Sequence, residues 1–128
     1  MEKFHRMNLE EIQKCNDKQI EDIILYTDNI RKYDFRAECL YWMCMLEVNI
    51  RTDQDVEHTW IKCIANIRNK DGDIIFQYGK DYMVFVLGLV PIVFTGDLFP
   101  YIYSIKEEDH RCIWKYFTES ELKSIYLM

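Results

Sequence analysis

The sequence predicts an all-α fold, a single compact bundle of about six or seven helices occupying residues 1–128 as one domain around a buried central hydrophobic helix. Three observations predict it. Helix-start signatures recur at Asn8, Asn16 and Thr118; apolar residues recur at helical spacing through much of the chain; and the thirteen positions from Tyr82 to Phe94 carry no charge.

In chain order, Asn8 is followed three residues on by Glu11, with Met7 and Ile12 placed to close a hydrophobic staple, and Asn16 is followed by Gln19 with Ile20 behind it. In each box a side-chain oxygen takes an orphan backbone N–H while the third residue reaches back, stabilising the helix start by about 1 kcal/mol. Ile20, Ile23, Ile24 and Ile30 then fall on one helical face. In FRAECLYWMCMLEV, Leu40, Tyr41, Cys44 and Val48 face one way and Trp42, Met43 and Leu46 another, so neighbours should wrap that helix on most sides. The stripe Val56, Trp60, Cys63, Ile64 and Ile67 in DQDVEHTWIKCIANIR predicts a further amphipathic helix.

NKDGD is the strongest turn signal in the chain. The stretch after it, IIFQYGKDYMVFVL, has a second reading as two short strands with Gly79 at the bend, which would make the fold α+β with one hairpin near 74–87. Helix from Asp81 is preferred, because the uncharged run has helical length and ends at TGD. It is too short to span a membrane, which takes about twenty apolar residues, and Gly88 and Pro91 interrupt it. The run is therefore expected to be a kinked core helix. Two last helices, 107–117 and 119–127, direct Ile113, Trp114 and Phe117, then Leu122, Ile125 and Tyr126, to the same interior, the second opening on a Thr118–Glu121 box.

A chain of 128 residues suits one domain able to hide roughly two-thirds of its unfolded surface. With 49% apolar and 15% aromatic residues there is material for a core. The formal net charge is −6 and no basic run stands out, which disfavours direct nucleic-acid binding and favours encounter with a basic protein. Five cysteines, an odd number, and an N-terminus without the apolar core of a signal peptide imply free thiols and a cytoplasmic location. Cys39 and Cys44, His58 and Cys63, and His110 and Cys112 match no zinc spacing, so no metal and no cofactor is expected.

No phosphate loop, nucleophile elbow or zinc-binding histidine pair occurs, and Ser104, Ser120 and Ser124 sit where capping or solvated roles are commoner than catalysis. His58 with Cys63 and His110 with Cys112 are the only sequence-local thiol–imidazole candidates, and neither pair shares a helical face. The chain is expected not to be an enzyme. What remains is surface. Carboxylates gather at Asp53, Asp55 and Glu57, at Asp71 and Asp73, and at Glu107, Glu108 and Asp109, each near aromatic residues. Solvated helix starts account for such clusters in part. If they converge, they would mimic a polyanion beside aromatic anchors, a design for blocking a basic active face.

A small, acidic, reduced, all-helical chain without catalytic residues, with blocks such as FRAECLYWMCMLEVNI and DVEHTWIKCIANIRNKDGD, resembles the immunity proteins of bacterial contact-dependent growth inhibition systems. Those proteins share no signature motif, so no residue role carries over. The resemblance implies a cytoplasmic antidote that binds the C-terminal domain of a cognate toxin, often a nuclease with a basic active face. The alternative is a viral helical protein similar to the Bcl-2 family, with residues 82–94 as its central helix and a groove for an amphipathic partner helix. Neither an NWGR-like motif nor a C-terminal membrane tail accompanies that reading.

Overall fold

Two of the predicted helix-start boxes close as read in the computed structural model, which describes residues 7–52 and 56–118. Asn8 Oδ1 accepts the Glu11 N–H at 3.0 Å while Glu11 Oε1 accepts the Asn8 N–H at 3.0 Å, opening helix α1 (Leu9–Gln13). Asn16 and Gln19 exchange the same pair of bonds at 2.8 Å to open α2 (Asp17–Ile30). Helix α3 (Phe35–Arg51) starts under Asp34, whose carboxylate accepts from the Arg36 and Ala37 amides. Ile20 and Ile23 of α2 are buried, and in α3 Leu40, Met43, Cys44 and Leu46 are all buried, so that helix is covered on more than one side as its sequence implies.

Beyond Arg51 the all-helical expectation is overturned. The chain forms strands β1 (Glu57–Cys63), β2 (Ile67–Arg68), β3 (Ile74–Phe76), β4 (Asp81–Leu87), β5 (Val90–Phe94), β6 (Pro100–Ile102) and β7 (Phe117–Thr118). Five of them make an antiparallel sheet in the order β6-β5-β4-β1-β7, and β2 pairs with β3 as a separate hairpin, so the fold is α+β.

The uncharged run is the β4–β5 hairpin. Side chains alternate: Tyr82, Val84 and Val86 enter one apolar cluster, while Met83, Phe85 and Leu87 pack against the other. A strand covered on both faces reads as a continuous apolar stretch, which is why length and composition alone suggested a helix. Gly88, at φ +63, takes the first position of the two-residue turn to Val90, where a type II′ turn places glycine. There is thus no central helix for a Bcl-2-like groove.

The remaining differences have similar causes. The segment read as a helix through Trp60 is β1, where pairing with β4 turns Ile61 and Cys63 inward and leaves Trp60 58% exposed. The expected helix 107–117 is a loop, one 3-10 turn (Ile113–Lys115) and β7; Ile113 and Phe117 are buried as expected, on another kind of element. Both strands of the 74–87 alternative exist, with Gly79 bent at φ +83 between them, but they do not pair with each other: β3 pairs β2, and β4 pairs β1 and β5. The expected helix 119–127 and Glu121 of its box lie outside the described residues.

The sheet is covered on both faces. Helices α1 to α3 pack over β4, β5 and β6 through Ile12, Leu40, Met43, Ile92 and Phe94. On the other face the β2–β3 hairpin and residues 113–117 close over Ile61, Val84 and Val93, with Phe76 at the centre. The Phe76 ring makes edge-to-face contacts with Tyr82 (4.8 Å), Phe117 (5.3 Å) and Tyr101 (5.7 Å). Arg51, in the last turn of α3, ties the helices together: it donates to Glu47 and Asp17 at 2.8 Å each and to the Cys15 carbonyl at 2.7 Å. Glu47 is buried, and its other oxygen, Oε1, has no partner among the described residues. None of these helices is long and apolar enough to cross a membrane.

Phe76 is fully buried yet belongs to a three-residue strand, so its side chain fixes the hairpin to the sheet. Phe76→Ala is expected to cost about 3–5 kcal/mol, the usual price of an aromatic cavity. Urea denaturation checks this, with a lowered midpoint as the expected result.

Candidate functional site

The sheet has two ends, and the topology distributes the predicted carboxylates between them. Strand β1 begins opposite Val86, beside the β4–β5 turn, and finishes beside the start of β4. Glu57 therefore lies toward the first end; its side chain, like Asp53 and Asp55, falls outside the described residues. Glu107, Glu108 and Asp109 follow β6, whose last residue Ile102 pairs with Ile92 near the start of β5, at that same end. Asp71 and Asp73 sit in the β2–β3 turn, and Asp73 borders the β5–β6 turn at the opposite end. Asp71 and Asp73 therefore lie at the opposite end of the sheet from Glu107, Glu108 and Asp109.

Their local roles differ as well. Asp109 is engaged by its own loop: its carboxylate accepts the Arg111 N–H at 2.9 Å, and that bond first, then the charge of His110, holds its acid below the usual carboxylate range. Glu107 and Glu108 are exposed. In the β2–β3 turn it is Asn69 that organises the backbone, its Oδ1 accepting from the amides of Asp71 (2.9 Å) and Asp73 (3.0 Å). That leaves both aspartate carboxylates turned to solvent with no ion pair among the described residues.

Asp73 lines a cleft of about 560 Å³ between the β2–β3 hairpin and the β5–β6 turn. Tyr82 and Tyr101 border it from the sheet, Thr95, Gly96 and Asp97 from the turn, and Lys80 from the start of β4. Tyr82 is fixed by the Gln77 N–H, which donates to its hydroxyl at 2.8 Å. Burial first, then the neighbouring Cys39, pushes the Tyr101 phenol upward, so it stays protonated at neutral pH. A smaller, more apolar depression of about 290 Å³ involves Trp60, Met83, Phe94 and Leu98 and shares Lys80, Tyr82, Thr95 and Gly96 with the first. The two hollows flank one rim of the sheet.

Exposed apolar side chains collect at this end. Trp60 is 58% exposed, Tyr78 66% and Ile74 45%. Among the described residues the helices cover the β5–β6 side of the sheet more than the β1 side, where Trp60 is exposed; its neighbour His58 stacks on Phe85, ring centres 5.4 Å apart. The backbone of Tyr78 is anchored by its amide, which donates to Asn66 Oδ1 at 2.9 Å. Charges of both signs are interspersed, with Asp71, Asp73, Asp81 and Asp97 beside Lys62, Arg68, Lys70 and Lys80. The face is suited to oriented pairing more than to long-range steering. Sequence reasoning found Asp71 and Asp73 but missed Trp60, Tyr78 and the β5–β6 turn. TGD marked the turn, while Trp60 had been assigned to a buried stripe.

The thiol candidates are not assembled into a site. His58 and Cys63, five apart on one strand, lie on opposite faces; Cys63 is buried and donates to the Ala65 carbonyl at 2.7 Å. Cys112 is buried while His110 is exposed. Among the described residues no three or more His, Cys, Asp or Glu side chains gather as a possible metal site. Compared with protein-family models, with curated proteins and with solved structures, the chain matches none.

Burial first, then nearby acidic groups such as Glu38 beside Cys39 and Glu47 beside Cys44, pushes the two thiols from an ordinary value near 9 up to about 12. The native state holds these protons more tightly than the unfolded chain does. Their stabilising contribution is therefore intact below pH 9 and lost as pH rises from 9 toward 12. Two measurements check this: thermal unfolding across that range should show a falling midpoint, and iodoacetamide at neutral pH should label native protein at the half-buried Cys15 alone, and all five thiols in denaturant.

Proposed function

We propose that the chain is a binding protein of the antidote kind, which captures a cognate toxin domain and blocks its basic active face. The recognition surface is the end of the sheet carrying Trp60, Tyr78 and the cleft. The likeness to contact-dependent growth inhibition immunity proteins rested partly on an all-helical character that the sheet removes. What supports the reading now is local. Trp60 stands exposed on a strand at the smaller hollow and Tyr78 on a tight loop at the same end, and the larger cleft is edged by the solvent-facing carboxylates of Asp73 and Asp97, with Asp71 in the same turn as Asp73. Exposed aromatics beside a hollow are the usual anchors of a protein interface. Carboxylates at its edge favour Lys and Arg of a partner, and the formal net charge of −6 adds attraction to a basic domain.

In this reading the aromatic anchors supply affinity while the aspartates set orientation and rate. Inhibition is steric and electrostatic: the chain covers the partner's basic face without acting on it chemically. The setting is cytoplasmic, where the toxin would arrive.

The experiment uses the toxin domain encoded beside the native locus. Trp60→Ala with Tyr78→Ala should weaken its capture by about 30-fold or more, corresponding to about 2 kcal/mol, while moving folding stability by less than about 0.5 kcal/mol. Asp71→Lys with Asp73→Lys should slow association and flatten its salt dependence. Calorimetry and surface plasmon resonance read both. Wild-type affinity in the aromatic variant, or loss of binding on reversing Glu107 and Glu108 instead, would overturn the assignment of this end of the sheet.

A further inference from the structure

We propose that Arg51, remote in sequence from the cleft, sets the shape of the cleft wall through α1, which works as a strut between the end of α3 and the β5–β6 turn. The strut is short, five residues or about 7.5 Å at the ordinary helical rise. At its C-terminal end the last carbonyls lack helical partners, and the Arg51 guanidinium takes that role, donating to Cys15 (2.7 Å) and Gln13 (3.3 Å). The guanidinium is itself braced by the buried Glu47 and by Asp17. At the N-terminal end, the Leu9 N–H donates to the Leu98 carbonyl at 2.9 Å, and Asn8 Nδ2 donates to the Asp97 carbonyl at 3.0 Å.

The first bond falls on the one non-glycine residue with positive φ among the described residues, Leu98 at φ +66, and the second on Asp97 just before it. A leucine in the left-handed region is strained and persists only where its surroundings hold it there. Here the holders are α1 and the core contacts of the Leu98 side chain. The turn's own bonds, Leu98 N–H to the Thr95 carbonyl at 2.9 Å and Phe99 N–H to Thr95 Oγ1 at 3.1 Å, close the loop that presents Thr95, Gly96 and Asp97 to the cleft. Freeing α1 removes the external grip, and Leu98 relaxes toward negative φ, carrying the cleft wall with it. Arg51 is thus a positioning residue for a surface it does not touch. The consequence for partner capture rests on the function proposed above; the mechanical link does not.

Amide hydrogen exchange of the intact chain tests the link. In Arg51→Met, exchange at Leu9 and Leu98 is expected to accelerate about tenfold more than at Ile61 and Val84 in the sheet, the mark of local opening over global destabilisation. Ile113→Val, which loosens the opposite core, should raise all four alike. If Arg51→Met fails to fold, Asn8→Ala cuts the strut at its other end and should speed exchange at Leu98 and Thr95 while sparing Thr52 at the end of α3. Equal acceleration at the strut and sheet amides in these variants overturns the proposal. Loss of toxin-domain binding in Arg51→Met with unchanged exchange at Leu98 would also overturn it, while leaving the binding function standing.

Discussion

Strand β4 carries large apolar side chains on both of its faces, and the rest of the fold answers that constraint. Tyr82, Val84 and Val86 must be covered from one side, Met83, Phe85 and Leu87 from the other. Burying one such side chain is worth about 1.5–3 kcal/mol, so neither face can be left to water. The three helices supply one cover. The other is assembled from small pieces, a two-strand hairpin and a 3-10 turn, which succeed because Phe76, Ile113 and Phe117 are wholly buried between them. Where coverage stops short, at β1, the protein acquires its exposed tryptophan. Architecture and candidate recognition surface are therefore two results of one asymmetry.

The helical half was legible because its signals are local. Asn8 with Glu11 and Asn16 with Gln19 state a helix start within four residues, and both boxes are present. The strand half depends on partners distant in sequence. Val56, Trp60, Cys63, Ile64 and Ile67 fit a helical stripe arithmetically, yet the same segment alternates Thr59, Ile61 and Cys63, and only pairing with β4 selects between the two periods. Tyr82 to Phe94 shows the same ambiguity in stronger form, since burial on both faces erases the alternation that would have marked a strand. The II′-type use of Gly88 was the available clue, and it was read as an interruption of a helix.

The site was legible only in part, for a related reason. Carboxylate clusters can be found by eye, but their convergence is a property of topology, and the antiparallel register sends Asp71 and Asp73 to one end of the sheet and Glu107 to Asp109 to the other. The aromatic residues that matter at the cleft are those the core leaves out. Trp60 and Tyr78 are indistinguishable in the sequence from Phe76 or Tyr82, which are buried only a few residues away. Binding energy at a surface comes from such leftovers, so the pattern that reveals a core tends to conceal an interface.

The chain order, helices first and sheet afterwards, bears on biosynthesis. A ribosome releases α1 to α3 before any of the strands they lean on, so Ile20, Leu40, Met43 and Leu46 emerge with their final neighbours Ile92 and Phe94 still untranslated. Synthesis at about 5–20 residues per second keeps that greasy surface uncovered for seconds. Those helices can therefore find their final packing only after β5 has cleared the exit tunnel.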